Sequence, residues 1–269
     1  MKKLLKNKTF IATVISLATI NVNLGSTQAQ IINRTKPRQQ NHQYYLGQKI
    51  EPELEKQVLE IIRQNPEIII ESIQIYQEKQ RKQQQETRDK FLQTLKTNPD
   101  EIIGDSPVFG NPKAKIVLIE FSDFQCPFCA QAQTPLKEFM AKYKEEVKLV
   151  YKHLPIPNIH PQAIPASKSA IAAGKQGKFW EYHDALFAQQ EQLSEELYLK
   201  IAQDLDLDIE KFKRDRAIAL TTIQRDLTLA QQLGINGTPF FIMNGEVFAG
   251  AVNLADLEAT LAKIKAEQN

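Results

Sequence analysis

The chain has 269 residues, 42% of them hydrophobic and 25% charged, with a formal net charge of +2. A chain this long can build a core without a covalent staple, and its near-neutral balance offers no basic surface for nucleic acid. Only two cysteines are present, Cys126 and Cys129, beside four histidines with no second pair at ligand spacing, so a four-ligand structural zinc site is excluded.

In chain order, residues 1–29 come first. Lys2, Lys3, Lys6 and Lys8 precede an apolar run at 10–20, and a polar stretch then ends in Thr27-Gln28-Ala29. Basic, apolar and then small residues is the layout of a secretory signal peptide. The run of 11 residues is short of the roughly 20 that a membrane span needs, although an uncleaved anchor is the alternative. Cleavage after Ala29 removes four lysines and no acid, leaving 30 basic against 32 acidic residues, a net charge of −2. The basicity belongs to the export signal. Export would place the rest in the periplasm or another extracytoplasmic space, where disulfides persist.

Residues 30–49 are polar and read as a flexible lead-in. From Pro52, Leu54, Val58, Ile61 and Ile62 fall at helical spacing. Asn65-Pro66 interrupts, and Pro66 suits the start of a second helix carrying Ile69, Ile70, Ile73 and Tyr76. That helix turns polar through 77–88 and runs to about residue 95. The stretch at 80–85 has good helix propensity and nothing to bury, as a solvent-exposed rod would. The isoleucine-rich face needs a partner, and the segment 50–98 therefore suggests a homo-oligomer; folding back on the main domain is the rival reading.

After a loop at 104–115, residues 116–121 read as a buried strand, 130–143 as a helix and 147–153 as a second strand. A long helical stretch at 161–233 is broken at 174–177, near 190–194 and near 206–208. Residues 240–243 and 247–249 form a hairpin about Asn244-Gly245. A closing helix over 253–265 carries Leu254, Leu257, Leu261 and Ile264 on one face. The order is β-α-β, a helical insert, then β-β-α.

Cys126-Pro127-Phe128-Cys129 stands where the first strand feeds its helix. Only the thiolate attacks, and an ordinary cysteine near pKa ~8.5 is mostly protonated at neutral pH. At a helix start, unpaired backbone N–H groups and the positive dipole end favour an anion, and Pro127 loses no hydrogen bond there. Cys129 lies about a turn further in, which makes Cys126 the nucleophile and Cys129 the resolving thiol. A structural disulfide closing so small a loop would constrain the unfolded chain little. Haem attachment would need His after Cys129, where Ala130 stands. An exported redox pair is the reading that remains, and it uses no cofactor, because the electrons reside on the two sulfurs.

The run Glu120-Phe121-Ser122-Asp123-Phe124-Gln125 before the cysteines resembles the active-site segment of the DsbA-like thiol:disulfide oxidoreductases of the thioredoxin superfamily. The resemblance continues through Tyr151-Lys152-His153-Leu154-Pro155, His160-Pro161, the stretch from Gln176 to Phe187, and Gly237-Thr238-Pro239-Phe240-Phe241. It implies an α/β thioredoxin fold over residues 99–269 with a helical insert at about 157–233, clients that are exported proteins with cysteines, and a membrane redox partner. The segment 50–98 is similar to the helical stalk of the oligomerising ScsC-type subgroup. The resemblance further implies a cis bond at Thr238-Pro239, facing the cysteines, and a buried acid at Glu120 that moves a proton at Cys129. An edge strand would instead leave Glu120 in water. Thr238, Pro239 and Phe128 are the expected substrate contacts, Thr238 by backbone pairing with an extended chain. Phe128 departs from strongly oxidising relatives, which often have His there. A phenyl ring cannot stabilise a thiolate by charge or hydrogen bond, so the Cys126 pKa is expected to be lowered, but less than in those relatives. His153, His160 and His183 read as packing or capping residues. Residue types leave oxidase and isomerase directions open, and a non-catalytic adaptor is the alternative function.

Overall fold

A computed structural model describes residues 51–250 and 252–268; the expected signal peptide (1–29) and lead-in (30–49) lie outside the described residues. The chain divides into two units at Ile69/Ile70. The first contains α1 (Pro52–Gln64), which opens on a proline and has Glu53 and Glu55 in its first turn and Arg63 in its last. Those charges complement the helix dipole. None of its residues is buried.

The second unit contains most of α2 (Glu67–Thr97), whose polar middle is exposed while Phe91 and Leu95 near its end are buried. A short α3 (Pro99–Ile103) follows, then β1 (Val108–Phe109), β2 (Ile116–Ser122), α4 (Pro127–Tyr143) and β3 (Val147–His153). The insert consists of α5 (Ala163–Gly174), α6 (Phe179–Ala188), a 3-10 turn (Gln190–Gln192), α7 (Glu195–Asp204), α8 (Ile209–Ile218) and α9 (Leu220–Leu233). The chain closes with β4 (Phe240–Met243), β5 (Glu246–Ala249) and α10 (Leu254–Gln268). This is the α/β order expected from the sequence, with three differences. The loop at 104–115 contributes an edge strand, α3 precedes it, and the last insert helix is split at Ala219.

The sheet runs β1-β3-β2-β4-β5. β2 and β3 are parallel, whereas β1–β3, β2–β4 and β4–β5 are antiparallel. All seven residues of β2 are buried, as a central strand covered on both faces requires. Alternation sorts its side chains. Ile116 and Leu118 meet Leu136, Phe139 and Met140 of α4 and Leu257 and Leu261 of α10. Val117, Ile119 and Phe121 meet Phe91 and Leu95 of α2, Ile103 of α3 and Ala230 of α9. The last turns of α2 thus belong to the core of this unit. A separate insert core joins Ala166, Ala170, Tyr182, Tyr198 and Phe212, and Phe124 and Tyr151 connect it to the sheet. α9 ends at Gly234 in the left-handed region (φ 72°), where glycine carries no Cβ penalty, and sends the chain toward Thr238.

Candidate active site

The loop from β2 to α4 ends in Cys126, and Cys129 lies in the first turn of α4. Cys126 is the N-cap of α4 in an extended conformation, with Pro127 at the first helical position. Its carbonyl accepts from the N–H groups of Cys129 (3.1 Å) and Ala130 (3.2 Å). Both residues are free thiols; Cys126 is 4% exposed and Cys129 fully buried. The Asp123 N–H donates to Cys129 Sγ at 3.5 Å, and Cys126 Sγ lies 3.5 Å from the Thr238 carbonyl oxygen. The Thr238–Pro239 peptide is cis. Phe128 is 55% exposed beside them. Sequence distance of more than a hundred residues is thereby closed onto one sulfur.

The two thiols are driven apart electrostatically. The hydrogen bond from Cys129, with help from Thr238 and the Cys129 and Phe128 backbone N–H groups, lowers the Cys126 pKa against the opposing effect of burial. Burial, the shared proton with Cys126 and the nearby Glu120 charge push Cys129 up. The arrangement therefore holds one thiolate, on the sulfur nearer solvent.

Glu120 is fully buried in β2, between β3 and β4, so the edge-strand alternative falls. It shares the sheet face of Leu118, beneath α4. Gln133 Nε2 donates to Glu120 Oε1 at 3.2 Å and to the Cys129 carbonyl at 3.3 Å. Burial raises the Glu120 pKa to about 7, against smaller lowering effects of Ser122 and Gln133. The Ser122 hydroxyl is close but makes no hydrogen bond of good geometry, and Glu120 Oε2 has no protein partner. A carboxyl so placed holds its proton near neutral pH and stands close to the less acidic sulfur.

Asp123 and His160 entered the sequence reading only within the resembling motifs, and Gln133 did not enter it. Asp123 is fully buried; its Oδ1 accepts from Gln125 N (2.8 Å), and its Oδ2 accepts from Ile156 N (2.9 Å) and lies 2.8 Å from His160 Nδ1. Gln133 follows Cys129 by four, one turn of the same helix face, which is the pattern that could have found it. His160 holds the buried Asp123, a capping role beside the site. His153 and His183 sit in the aromatic cluster with Phe124, Tyr151 and Phe179, where burial lowers both pKa values. Among the described residues, no group of three or more His, Cys, Asp or Glu is placed to hold a metal ion.

Residues 103–263 match the family profile described as Thioredoxin. The chain belongs to the thioredoxin family. A thioredoxin-like oxidoreductase from Silicibacter pomeroyi DSS-3 is 30% identical, with a TM-score of 0.56, and the match covers 63% of this chain and 98% of that one. The ScsC protein of Proteus mirabilis, in a transitional conformation, is 27% identical with a TM-score of 0.58, over 80% of this chain and 94% of that one. A curated Na(+)/H(+) antiporter, NhaA 3 of Salinispora tropica, is 38% identical over 157 residues, 57% of this chain. The chain spans about a quarter (24%) of that antiporter's length. Among the described residues no helix is long and apolar enough to cross a membrane. This thioredoxin-family chain thus has the DsbA/ScsC-like fold of thiol-disulfide oxidoreductases.

Proposed function

We propose that the protein is an exported thiol:disulfide oxidoreductase acting on cysteines of other exported proteins through Cys126 and Cys129. The observation that carries this reading is Cys126 at the N-terminus of α4, its thiol made more acidic and its sulfur 3.5 Å from the Thr238 carbonyl. In the oxidising direction, a client thiolate attacks Cys126 Sγ of the disulfide, the Cys126–Cys129 bond breaks, and Cys129 leaves with the electron pair. Glu120 supplies or accepts the proton at Cys129. A second client thiolate then attacks the client sulfur of the mixed disulfide. The client gains a disulfide and the enzyme is left as a dithiol, two electrons richer. Run in reverse, Cys126 attacks a client disulfide and Cys129 releases it. Thr238 and Pro239 line the client strand, Phe128 meets its apolar side chains, and a membrane redox partner resets the pair.

The segment 50–98 serves self-association. Leu54, Val58, Ile61 and Ile62 of α1 are all exposed, as are Ile70, Ile73 and Tyr76 of α2. Leaving so many large apolar side chains in water is unfavourable, at about 25 cal/mol per Å2. The ScsC likeness reaches over 80% of the chain, beyond the domain alone. An oligomer presenting several sites to one client favours isomerase or reductase work, whereas a monomer favours oxidation. Light scattering on the mature chain, combined with trapping of client mixed disulfides by Cys129→Ala, tests the proposal. Full biological activity in Cys126→Ala would instead support the non-catalytic adaptor reading.

A further inference from the structure

We propose that Gln190, at the start of the 3-10 turn of the helical insert, is a positioning residue for Cys126. The inference rests on the disulfide-exchange reading and names a part of the site outside the thioredoxin strands. Its carboxamide nitrogen has two hydrogens, and both are used on the active-site loop. One goes to the Phe124 carbonyl at 2.8 Å and the other to the Cys126 carbonyl at 2.9 Å. The two acceptors flank Gln125, so a single side chain holds the loop on both sides of its last turn before the nucleophile. The Cys126 carbonyl already accepts from Cys129 and Ala130 at the first turn of α4. A third donor turns the positive end of one more dipole toward the peptide that carries the reactive sulfur.

The segment between β3 and α5 holds the same loop at two other points. Gln162 N donates to Gln125 Oε1 at 2.6 Å, and Ile156 N donates to Asp123 Oδ2 at 2.9 Å. Those anchors fix Asp123 and Gln125. Gln190 is the contact that reaches Cys126 itself, and its half-buried setting protects the bonds from competing water. Without it, the Phe124 and Cys126 carbonyl groups each lose one compensating donor. The result is a less favourable site for a thiolate.

The titratable groups of the site are Cys129 on α4, Glu120 on β2, Tyr151 on β3, and Asp123 with His160 beside the loop; the Gln190 amide bonds main-chain carbonyls and none of these side chains. The test is a pH titration of thiolate absorbance in the reduced full chain, run on the parent, Gln190→Ala and Gln190→Glu, with melting temperatures in parallel. Gln190→Ala should raise the Cys126 midpoint by about half a unit to one unit. Gln190→Glu keeps the shape but replaces the donors with a negative charge, and should raise it further. It also covers the case in which alanine loosens the fold. An unchanged midpoint with a lower melting temperature would mean that Gln190 is only a clamp, and the proposal falls. A parent that itself titrates like an ordinary cysteine overturns the exchange reading and this role together, which separates the two failures.

Discussion

Replacing Glu120 by Gln should stabilise the protein at alkaline pH and not at acidic pH. Burial raises the Glu120 pKa from 4.5 to about 7. Between those values the native state keeps a proton that the unfolded chain has released. Stability therefore declines as pH rises through that window and levels off above it. A difference of about 2.5 units, at about 1.4 kcal/mol each, gives on the order of 3 kcal/mol at pH 8. The isosteric amide has no such loss, and its carbonyl can still accept from Gln133. Stability measured by urea or heat on the reduced protein should be nearly equal for the two proteins at pH 4.5. By pH 8 the variant should melt higher by on the order of 10 °C, given roughly 2–4 °C per kcal/mol for a domain of this size. Comparing the two proteins at each pH cancels the titration of Cys126, which is common to both. Disulfide exchange should meanwhile slow, because Cys129 loses its proton partner. A stability difference that does not change with pH would refute the placement of the carboxyl, and an unchanged exchange rate would refute its role.

Three other outcomes are expected. The Cys126 thiolate should titrate well below the ordinary ~8.5 and above ~4, so exchange slows as pH falls through that midpoint; Phe128→His should move the midpoint lower, as absorbance will show. Asp226→Ala should destabilise by about 3–5 kcal/mol in urea denaturation, because it leaves the buried Lys152 ammonium, 3.5 Å away, with only the Ile102 and Ile103 carbonyls and removes the acceptor of His153 N, and joint replacement of both residues by apolar ones should recover much of that loss. Asp123→Ala removes the acceptor of Gln125 N and Ile156 N at a buried site and should cost about 2–4 kcal/mol by the same assay, whereas Asp123→Asn, which keeps one acceptor oxygen, should cost less.

The sequence is most legible where a pattern is local. The apolar run at 116–121, the turn at Asn244-Gly245 and the breaks at 174–177 and 206–208 all mark real element ends, since each reflects backbone preference or burial at short range. β1 is different. Two residues, Val108 and Phe109, pair with β3, and so short an edge carries no periodicity. At the site, Cys126 and Cys129 announce themselves by spacing and by their place before a helix. Glu120 is visible as a charge in an apolar strand, but its burial follows from β2 lying between β3 and β4. Gln190, Gln133 and His160 are common polar residues whose roles depend on partners 64, 13 and 37 positions away. Nothing in composition separates them from surface glutamines and histidines, and only Gln133, one turn after Cys129, carries a helical spacing to the site.

The central claim is that Cys126 and Cys129 form a reversible redox pair with Cys126 as the attacking sulfur. Equilibrating the protein with glutathione and counting thiols by mass tests it. The account predicts one two-electron transition to an internal disulfide, mixed disulfides with glutathione that accumulate on Cys126 in Cys129→Ala, and none on Cys129 in Cys126→Ala. Two thiols that stay reduced across the range, or a mixed disulfide that accumulates on Cys129 instead, would contradict it.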